Sequence, residues 1–338
     1  MPTPSSVSRA EPDRPARLPL GPLGYGAAAL GNLYSARPDD VWPGIVPAAW
    51  EAGVRYFDTA PHYGLGLSER RLGESLRGLP RDQYILSTKV GRLLEPNPDY
   101  RPGDTDLPNL FDTPATSRRR VDYSRDGILR SVEESLIRLD VDRIDVLFAH
   151  DPDDHEREAL DTAFPALDEL RSQGVIRAYG AGMNQSAMLA RFVRETDLDV
   201  VMCAGRYTLL DDSAARDLLP AAEERGVQVV VAAVFNSGLL ATDRPRPGAH
   251  FDYAQPPQSL VARTNRIADV AGEYGVTVPQ LALQFPLRHP AVTTVVTGAD
   301  TAAQISANAQ LMEKPIPTAL WSRLIEEGLI PAAGDNRK

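Results

Sequence analysis

The sequence predicts an α/β fold, a (β/α)8 barrel of the TIM-barrel type with a parallel eight-stranded sheet and long βα loops at its C-terminal face. Three observations predict it. From about residue 22 onward, short apolar runs alternate with amphipathic stretches, and the alternation occurs eight times. Alternating strand and helix signals call for parallel βαβ units, and eight such units suit a closed barrel better than an open sheet. The length, 338 residues, accommodates such a barrel as one domain with extended loops.

In chain order, the expected strands are residues 25–30, 55–59, 84–90, 144–149, 176–181, 200–204, 227–234 and 293–297. The expected helices are residues 41–52, 68–77, 125–139, 164–173, 186–196, 214–225, 260–274 and 301–311. Gly53, Gly78, Gly174, Gly226 and Gly275 follow helical stretches, where glycine accepts the left-handed conformation that ends a helix. Two segments break the rhythm. Residues 91–122 are rich in Pro, Asp and Arg, lack a clear period and follow a strand, so they are expected over the active-site face as a lid or a disordered loop. Residues 242–258, also Pro-rich, follow the seventh strand and belong on the same face. Residues 1–17 carry four prolines and three arginines and are read as a disordered tail, leaving 18–338 as a single barrel domain.

Composition narrows the function. The formal net charge of −10 disfavours nucleic acid and anionic membrane as partners, so a small-molecule substrate is expected. No run of about 18 apolar residues is present to span a membrane, and the N-terminus lacks the apolar stretch of a secretory signal. The single cysteine, Cys203, excludes an intrachain disulfide and fits a cytoplasmic location; inside an apolar run it reads as a buried hydrophobe rather than a nucleophile.

Gly24-Tyr25-Gly26-Ala27-Ala28-Ala29 matches the dinucleotide fingerprint G-x-G-x-x-A in letters. That fingerprint closes a strand, opens a helix and precedes an acidic residue by about 20 positions. Here the apolar run continues and the next helix starts near residue 39, so the glycines are read as small residues of a close-packed barrel strand.

In a barrel, chemistry sits at the C-terminal strand ends. The second strand ends in Phe57-Asp58-Thr59-Ala60-Pro61-His62-Tyr63-Gly64, the third in Ser87-Thr88-Lys89-Val90-Gly91 and the fourth in Phe148-Ala149-His150-Asp151. Asp58, Tyr63, Lys89 and His150 are thus expected at one mouth as the catalytic group. A free tyrosine has a pKa of about 10 and is a weak base at neutral pH. An ammonium beside it stabilises the phenolate, so Lys89 lowers the Tyr63 pKa while Asp58 holds Lys89 and His150 hydrogen-bonds the substrate oxygen. Each residue alone has an ordinary structural explanation; the set at three successive strand ends points to proton transfer coupled to hydride transfer.

The run Gly53-Val54-Arg55-Tyr56-Phe57-Asp58-Thr59-Ala60-Pro61-His62-Tyr63-Gly64, followed by Ser68-Glu69-Arg70-Arg71-Leu72-Gly73, resembles the signature of the aldo-keto reductase family. The resemblance continues through Ser87-Thr88-Lys89 and through His150 after Asp145-Val146-Leu147, and it covers roughly residues 18–330. It implies the same four catalytic residues and a nicotinamide cofactor lying across the strand ends without a Rossmann domain. It further implies Asn184 at the carboxamide, Tyr207 stacked on the nicotinamide, and Asn236, Ser237, Gly238 and Leu239 at the pyrophosphate. Gln304 and Asn308 are implied at the adenine, one helical turn apart. Tyr34, His62, His150 and Phe235 are implied at the substrate pocket rim, and no metal is implied.

The chain departs from the family's pattern in three places. Gly182-Met183-Asn184-Gln185 stands where Ser-Asn is usual after the fifth strand, and Met202-Cys203-Ala204-Gly205 replaces a run with Gln. Beyond Gly298, the run Thr297-Gly298-Ala299-Asp300 carries an acid where NADP-preferring members are usually basic. A carboxylate repels a 2′-phosphate and accepts a hydrogen bond from a 2′-hydroxyl, so NAD is expected as the preferred cofactor, with NADP possible. Asp300 has the alternative reading of a charge complementing a helix N-terminus. The runs at 182–185 and 202–210 are similar to the sugar-oxidising branch, which implies oxidation of an aldose at C1; pyridoxal or general aldehyde oxidoreduction is the alternative. A non-catalytic cofactor-binding subunit and a metal hydrolase using Asp58, His62, His150 and Asp151 are the rival classes.

Overall fold

The computed structural model describes residues 17–252 and 254–331. Eight parallel strands close into a barrel: β1 (Leu23–Gly26), β2 (Tyr56–Asp58), β3 (Ile85–Val90), β6 (Val146–His150), β7 (Ala178–Met183), β8 (Val200–Ala204), β9 (Gln228–Ala232) and β10 (Val292–Thr297). The remaining two, β4 (Arg92–Pro96) and β5 (Ser117–Val121), pair antiparallel outside it. Barrel order is β1-β10-β9-β8-β7-β6-β3-β2, so chain neighbours are spatial neighbours, as right-handed βαβ units require.

Alternation along each strand sorts two cores. Tyr56, Ile85, Val146, Phe148, Val200, Met202 and Val296 fill the barrel, with Leu18 and Leu20 packed among them. Phe57, Leu86, Leu147, Val201 and Val229 face outward onto the helices. The inner end is closed by the chain before β1: Leu18 exchanges two backbone hydrogen bonds with the Gln228 side chain, at 2.7 and 3.1 Å. The expected N-terminal tail lies outside the described residues through position 16.

Seven of the eight expected barrel strands overlap their observed counterparts with end shifts of a residue or two. The first differs more, because β1 stops at Gly26 and Ala27–Gly31 coils into a 3-10 turn. Ser68 Oγ donates to Ala27 O at 2.6 Å, and Asn32 closes the turn in the left-handed region at φ 62°. The glycines before it serve close packing: a Cβ on Gly24 would stand 2.6 Å from the Tyr56 ring, and one on Gly26 2.9 Å from Val296. The five glycines expected after helices all have positive φ. The expected helix 214–225 is split, with a 3-10 turn at Ser213–Arg216 and the α-helix Leu218–Arg225. Two short helices, Val278–Gln284 and Thr318–Glu326, were not expected.

The segment 91–122 is ordered. Its ribbon β4–β5 runs in register from Arg92↔Val121 to Pro96↔Ser117. A two-stranded ribbon alone is marginal in water. Here it is tied down by Arg119, which donates to both Asp106 oxygens at 2.8 and 2.5 Å and to His62 O at 2.7 Å. The segment also zips onto the β1 loop: Tyr34 N donates to Leu110 O at 2.7 Å, and Asp112 N donates to Asn32 O at 2.9 Å. The Arg119–Asp106 pair is nearly inaccessible, at 12% and 5% side-chain exposure. Removing one partner of such a pair costs roughly 3–5 kcal/mol. Asp106→Ala is expected to accelerate limited proteolysis within 92–121 at least tenfold while thermal unfolding of the barrel moves little. Unchanged cleavage would show that other contacts hold the segment.

Candidate active site

Strand register brings the mouth together. Asp58 pairs with Ser87 across β2–β3, Lys89 with Phe148 across β3–β6, and His150 with Gly182 across β6–β7. Because Tyr56, Ile85 and Phe148 point inward, period two also turns Asp58, Lys89 and His150 into the barrel. Tyr63 arrives from the loop after β2, where its N–H donates to Ala60 O at 3.1 Å and its carbonyl accepts from Ser68 N at 3.2 Å.

Lys89 Nζ is the hub. It donates to Asp58 Oδ2 at 2.6 Å, to Thr59 O at 3.0 Å and to Tyr63 OH at 3.1 Å. The side chain is 2% exposed. Asp58 Oδ1 accepts from Ser87 Oγ at 2.7 Å, and Ser87 Oγ lies 3.0 Å from Tyr56 OH. Ser87 was quoted in the sequence motif without a role; lying two residues before Lys89 on one strand, it shares the inward face.

Burial would by itself lower the Lys89 pKa, but the Asp58 and Tyr63 charges and hydrogen bonds reverse this and raise it, so the ammonium persists. At Tyr63 burial raises the hydroxyl pKa, and Lys89 pulls it down without cancelling the rise. The expected lowering is therefore present as a contribution, but the net direction is upward. His150 is held well below the usual histidine range by burial and then by the Lys89, Arg92, His62 and Arg119 neighbours. His62 moves the same way, through burial and the charges of Arg119, Arg92 and Lys89. Both rings are neutral at physiological pH. His150 stands edge-on to Tyr63 at 5.8 Å and to His62 at 5.5 Å between ring centroids.

Three further residues complete this mouth, two of them without a sequence signal. Phe111 packs 5.9 Å from the Tyr63 ring and 5.4 Å from His62. Arg92 Nη2 binds Asp151 Oδ2 at 2.8 Å, and that oxygen is 3.6 Å from His150 Nε2. Phe111 and Arg92 lie in the segment whose sequence has no period; Asp151 had been considered only as a metal ligand. Among the described residues, no cluster of three or more His, Cys, Asp or Glu is arranged for a metal.

Beside the mouth a cavity of about 400 Å³ opens between β1, β9 and β10. Asn236, Ser237, Gly238, Gly298, Asp300, Gln304 and Asn308 all line it, as do Tyr34 and Phe235. Tyr34 and Phe235 thus sit with the expected cofactor residues, whereas His62 sits at the catalytic mouth. Leu239 is fully buried in the core, and its N–H is spent on Asn236 O. The N–H groups of Asn236 and Gly238 likewise donate within the loop. What the loop presents is the Asn236 side chain, 2% exposed, whose Oδ1 and Nδ2 have no partner among the described residues. Buried amides are normally satisfied, so this one fits a polar ligand in the cavity. Asn184 Nδ2 donates to Ala204 O at 3.1 Å, beside β7 and β8.

Two of the expected cofactor residues make contacts that the sequence does not announce. Tyr207 is 3% exposed and packs on Phe285 at 5.2 Å and His289 at 6.1 Å, on the outer side of the barrel. Asp300 is not an isolated carboxylate: Arg37 Nη2, reaching across from the β1 loop, binds Asp300 Oδ1 at 2.7 Å. Cys203 is buried and its thiol is pushed up to about 12 by burial, in keeping with a packing role.

A model of the aldo/keto reductase family matches residues 22–326. The chain is 49% identical to a D-threo-aldose 1-dehydrogenase of a Pseudomonas species, over 94% of this chain and 96% of that protein. It is 41% identical to the pyridoxal 4-dehydrogenase of Microbacterium luteolum, covering 91% and 94% of the two chains. Among solved structures, the holo form of an aldo-keto reductase from Bacillus halodurans superposes with a TM-score of 0.71 at 26% identity, covering 96% of this chain and 99% of that one. With the barrel, the strand-end residues and these relatives in agreement, the chain belongs to the aldo/keto reductase family and is an NAD(P)-dependent oxidoreductase.

Proposed function

We propose that the protein oxidises a cyclic aldose at C1 to the lactone, with NAD as preferred acceptor and Tyr63 as the proton-transfer group. The observation that carries the chemistry is the Lys89 ammonium held between Asp58 and the Tyr63 hydroxyl inside the mouth. The relative named a D-threo-aldose 1-dehydrogenase supports the substrate class. The assembled four-residue group speaks against a merely cofactor-binding subunit. The single cysteine fits the reducing environment of the cytoplasm, and among the described residues no helix is long and apolar enough to cross a membrane.

In this reading the anomeric hydroxyl lies against Tyr63 Oη and His150 Nε2. The Tyr63 phenolate, stabilised by Lys89, takes the hydroxyl proton as the C1–O bond gains double-bond character. Neutral His150 donates to the same oxygen and fixes its direction; the Asp151 carboxylate 3.6 Å away favours the proton on Nε2. Phe111 covers the Tyr63 ring and limits water. When bound, the oxidised nicotinamide supplies the acceptor for the C1 hydride. Asn236 would meet the cofactor in the cavity beside Ser237 and Gly238, with Gln304 and Asn308 facing the adenine end and Asn184 near the carboxamide.

The NAD preference rests on Asp300, the more open member of its ion pair at 47% side-chain exposure against 15% for Arg37. The pair places a carboxylate nearer the cleft and holds the cation behind it.

Tyr63→Phe is expected to lower kcat by about 10²- to 10⁴-fold, with NAD binding by fluorescence quenching within twofold of wild type; near-normal turnover would remove Tyr63 from the proton transfer. Because burial raises the Tyr63 pKa and phenolate is the reactive form, kcat for oxidation is expected to rise with pH through the alkaline range. Lys89→Met should displace that rise further upward. With His150 neutral throughout, no limb near pH 6.5 is expected, and finding one lost in His150→Asn would contradict the assignment. Asp300→Ala, which frees Arg37, is expected to improve NADP affinity about tenfold or more; an unchanged NADP:NAD ratio would leave Asp300 as a helix-end charge. For the reaction itself, NADH formation is measured with L-fucose, L-galactose and D-arabinose, in parallel with NADP. Turnover of pyridoxal or simple aldehydes alone would replace the sugar assignment.

A further inference from the structure

Beside the four-residue group, and meeting it at His150, the loop arginine Arg92 and the strand-end acid Asp151 form a pair whose remaining valences point to a further role. We propose that this pair is a hydroxyl-recognition subsite, which selects neutral substrates carrying a vicinal diol next to the reacting carbon. The inference rests on the aldose reading above and names what within the sugar is recognised.

The position fits. Asp151 follows His150 directly, and its Oδ2 is 3.6 Å from His150 Nε2, the nitrogen assigned to the anomeric oxygen. The hydroxyl on the neighbouring carbon falls one hydrogen-bond length from that oxygen, within reach of Asp151. Arg92 continues the row, with Nη1 3.5 Å from His62 Nδ1 on the far side of the mouth. Side-chain exposures of 22% for Arg92 and 31% for Asp151 leave both groups accessible and walled in.

The valences fit as well. Arg92 and Asp151 meet through one Nη2–Oδ2 contact at 2.8 Å instead of the two-point fork that guanidinium and carboxylate prefer. Among the described residues, Asp151 Oδ1 accepts no hydrogen bond and Arg92 Nε donates none. One open acceptor beside one open donor matches two adjacent hydroxyls, the first donating to Asp151 and the second accepting from Arg92. Asp151 is held in the left-handed backbone region at φ 47°, an uncommon conformation for a non-glycine residue, which turns its carboxylate back over the mouth.

Charge excludes other ligands. Lys89 is paired with Asp58, Arg119 with Asp106 and Arg92 with Asp151, so among the described residues these cations of the mouth are already neutralised and none is left to receive a carboxylate or phosphate. Tying down the lid does not require the Arg92 contact, because Arg119 and Phe111 already anchor the segment beside His62 and Tyr63.

The test is kcat/KM for NAD-linked oxidation of D-arabinose and L-fucose against their 2-deoxy counterparts, in wild type, Asp151→Asn, Arg92→Leu and the double variant. NAD affinity by fluorescence quenching serves as the check on folding. Wild type is expected to prefer each sugar over its 2-deoxy form by at least tenfold, since a site built to bind a hydroxyl rejects the analogue lacking it. Each single variant is expected to collapse that ratio toward one, chiefly through KM, with the double variant adding little. If wild type oxidises the sugars but the ratio is the same in every variant, the subsite is wrong while the sugar reading stands. If wild type oxidises no aldose and turns over only aldehydes, both fall. Should Arg92→Leu lose NAD binding, the near-isosteric Asp151→Asn decides.

Discussion

Everything at the mouth depends on keeping one ammonium charged where water cannot reach it. Lys89 is 2% exposed, and an unpaired cation so placed would lose its proton or force the barrel open. Asp58 supplies the countercharge, but a carboxylate in the same dry interior needs its own partners. It finds them in Ser87 and, through Ser87, in the Tyr56 hydroxyl. Two adjacent strands therefore carry a polar chain into a mainly apolar barrel, and the register Asp58↔Ser87 makes it possible. A one-residue slip would turn Asp58 and Lys89 onto opposite faces of the sheet.

That ammonium sets the electrostatics of its neighbours. It opposes the burial that makes the Tyr63 phenolate unfavourable, and it adds to the burial that keeps His150 from charging. On the proposed mechanism this separates the two residues into different roles: a hydroxyl that exchanges its proton, and an imidazole that only donates a hydrogen bond. The segment 92–121 strengthens both effects by bringing Phe111 against the rings and two arginines near the histidines. Arg92 and Arg119 are each matched by an acid, so they raise the field at the mouth without leaving a net charge for an anionic ligand to exploit.

What was legible in the sequence followed period and position. Strand-length apolar runs and helix-ending glycines marked the barrel, and reading the strand ends collected Asp58, Lys89 and His150 before any geometry was known. The lid was not legible, because Arg92–Pro96 and Ser117–Val121 show no alternation that would mark a buried face; what holds them is an ion pair 13 residues apart and backbone bonds to the β1 loop. The packing of Tyr207 was not legible either, because a motif assigns a residue to a place in the chain without saying which side of the barrel its ring will face. It lies on the outer side, against Phe285.

The cofactor cleft shows the same limit in another form. Gly24 and Gly26 carry the letters of a dinucleotide turn, yet each gives up its side chain to make room for Tyr56 and Val296 inside the barrel. The groups suited to a dinucleotide are instead the unsatisfied Asn236 amide and a pair 263 residues apart, Arg37 and Asp300. Read alone, Asp300 is a charge that repels a phosphate. Read with Arg37 behind it, the same position holds either sign within one ion pair's width, and which sign meets the ligand depends on which side chain the cleft leaves exposed. On the proposed reading, selectivity for the adenosine end belongs to the contact between the loops that follow β1 and β10, and neither loop's sequence contains it alone.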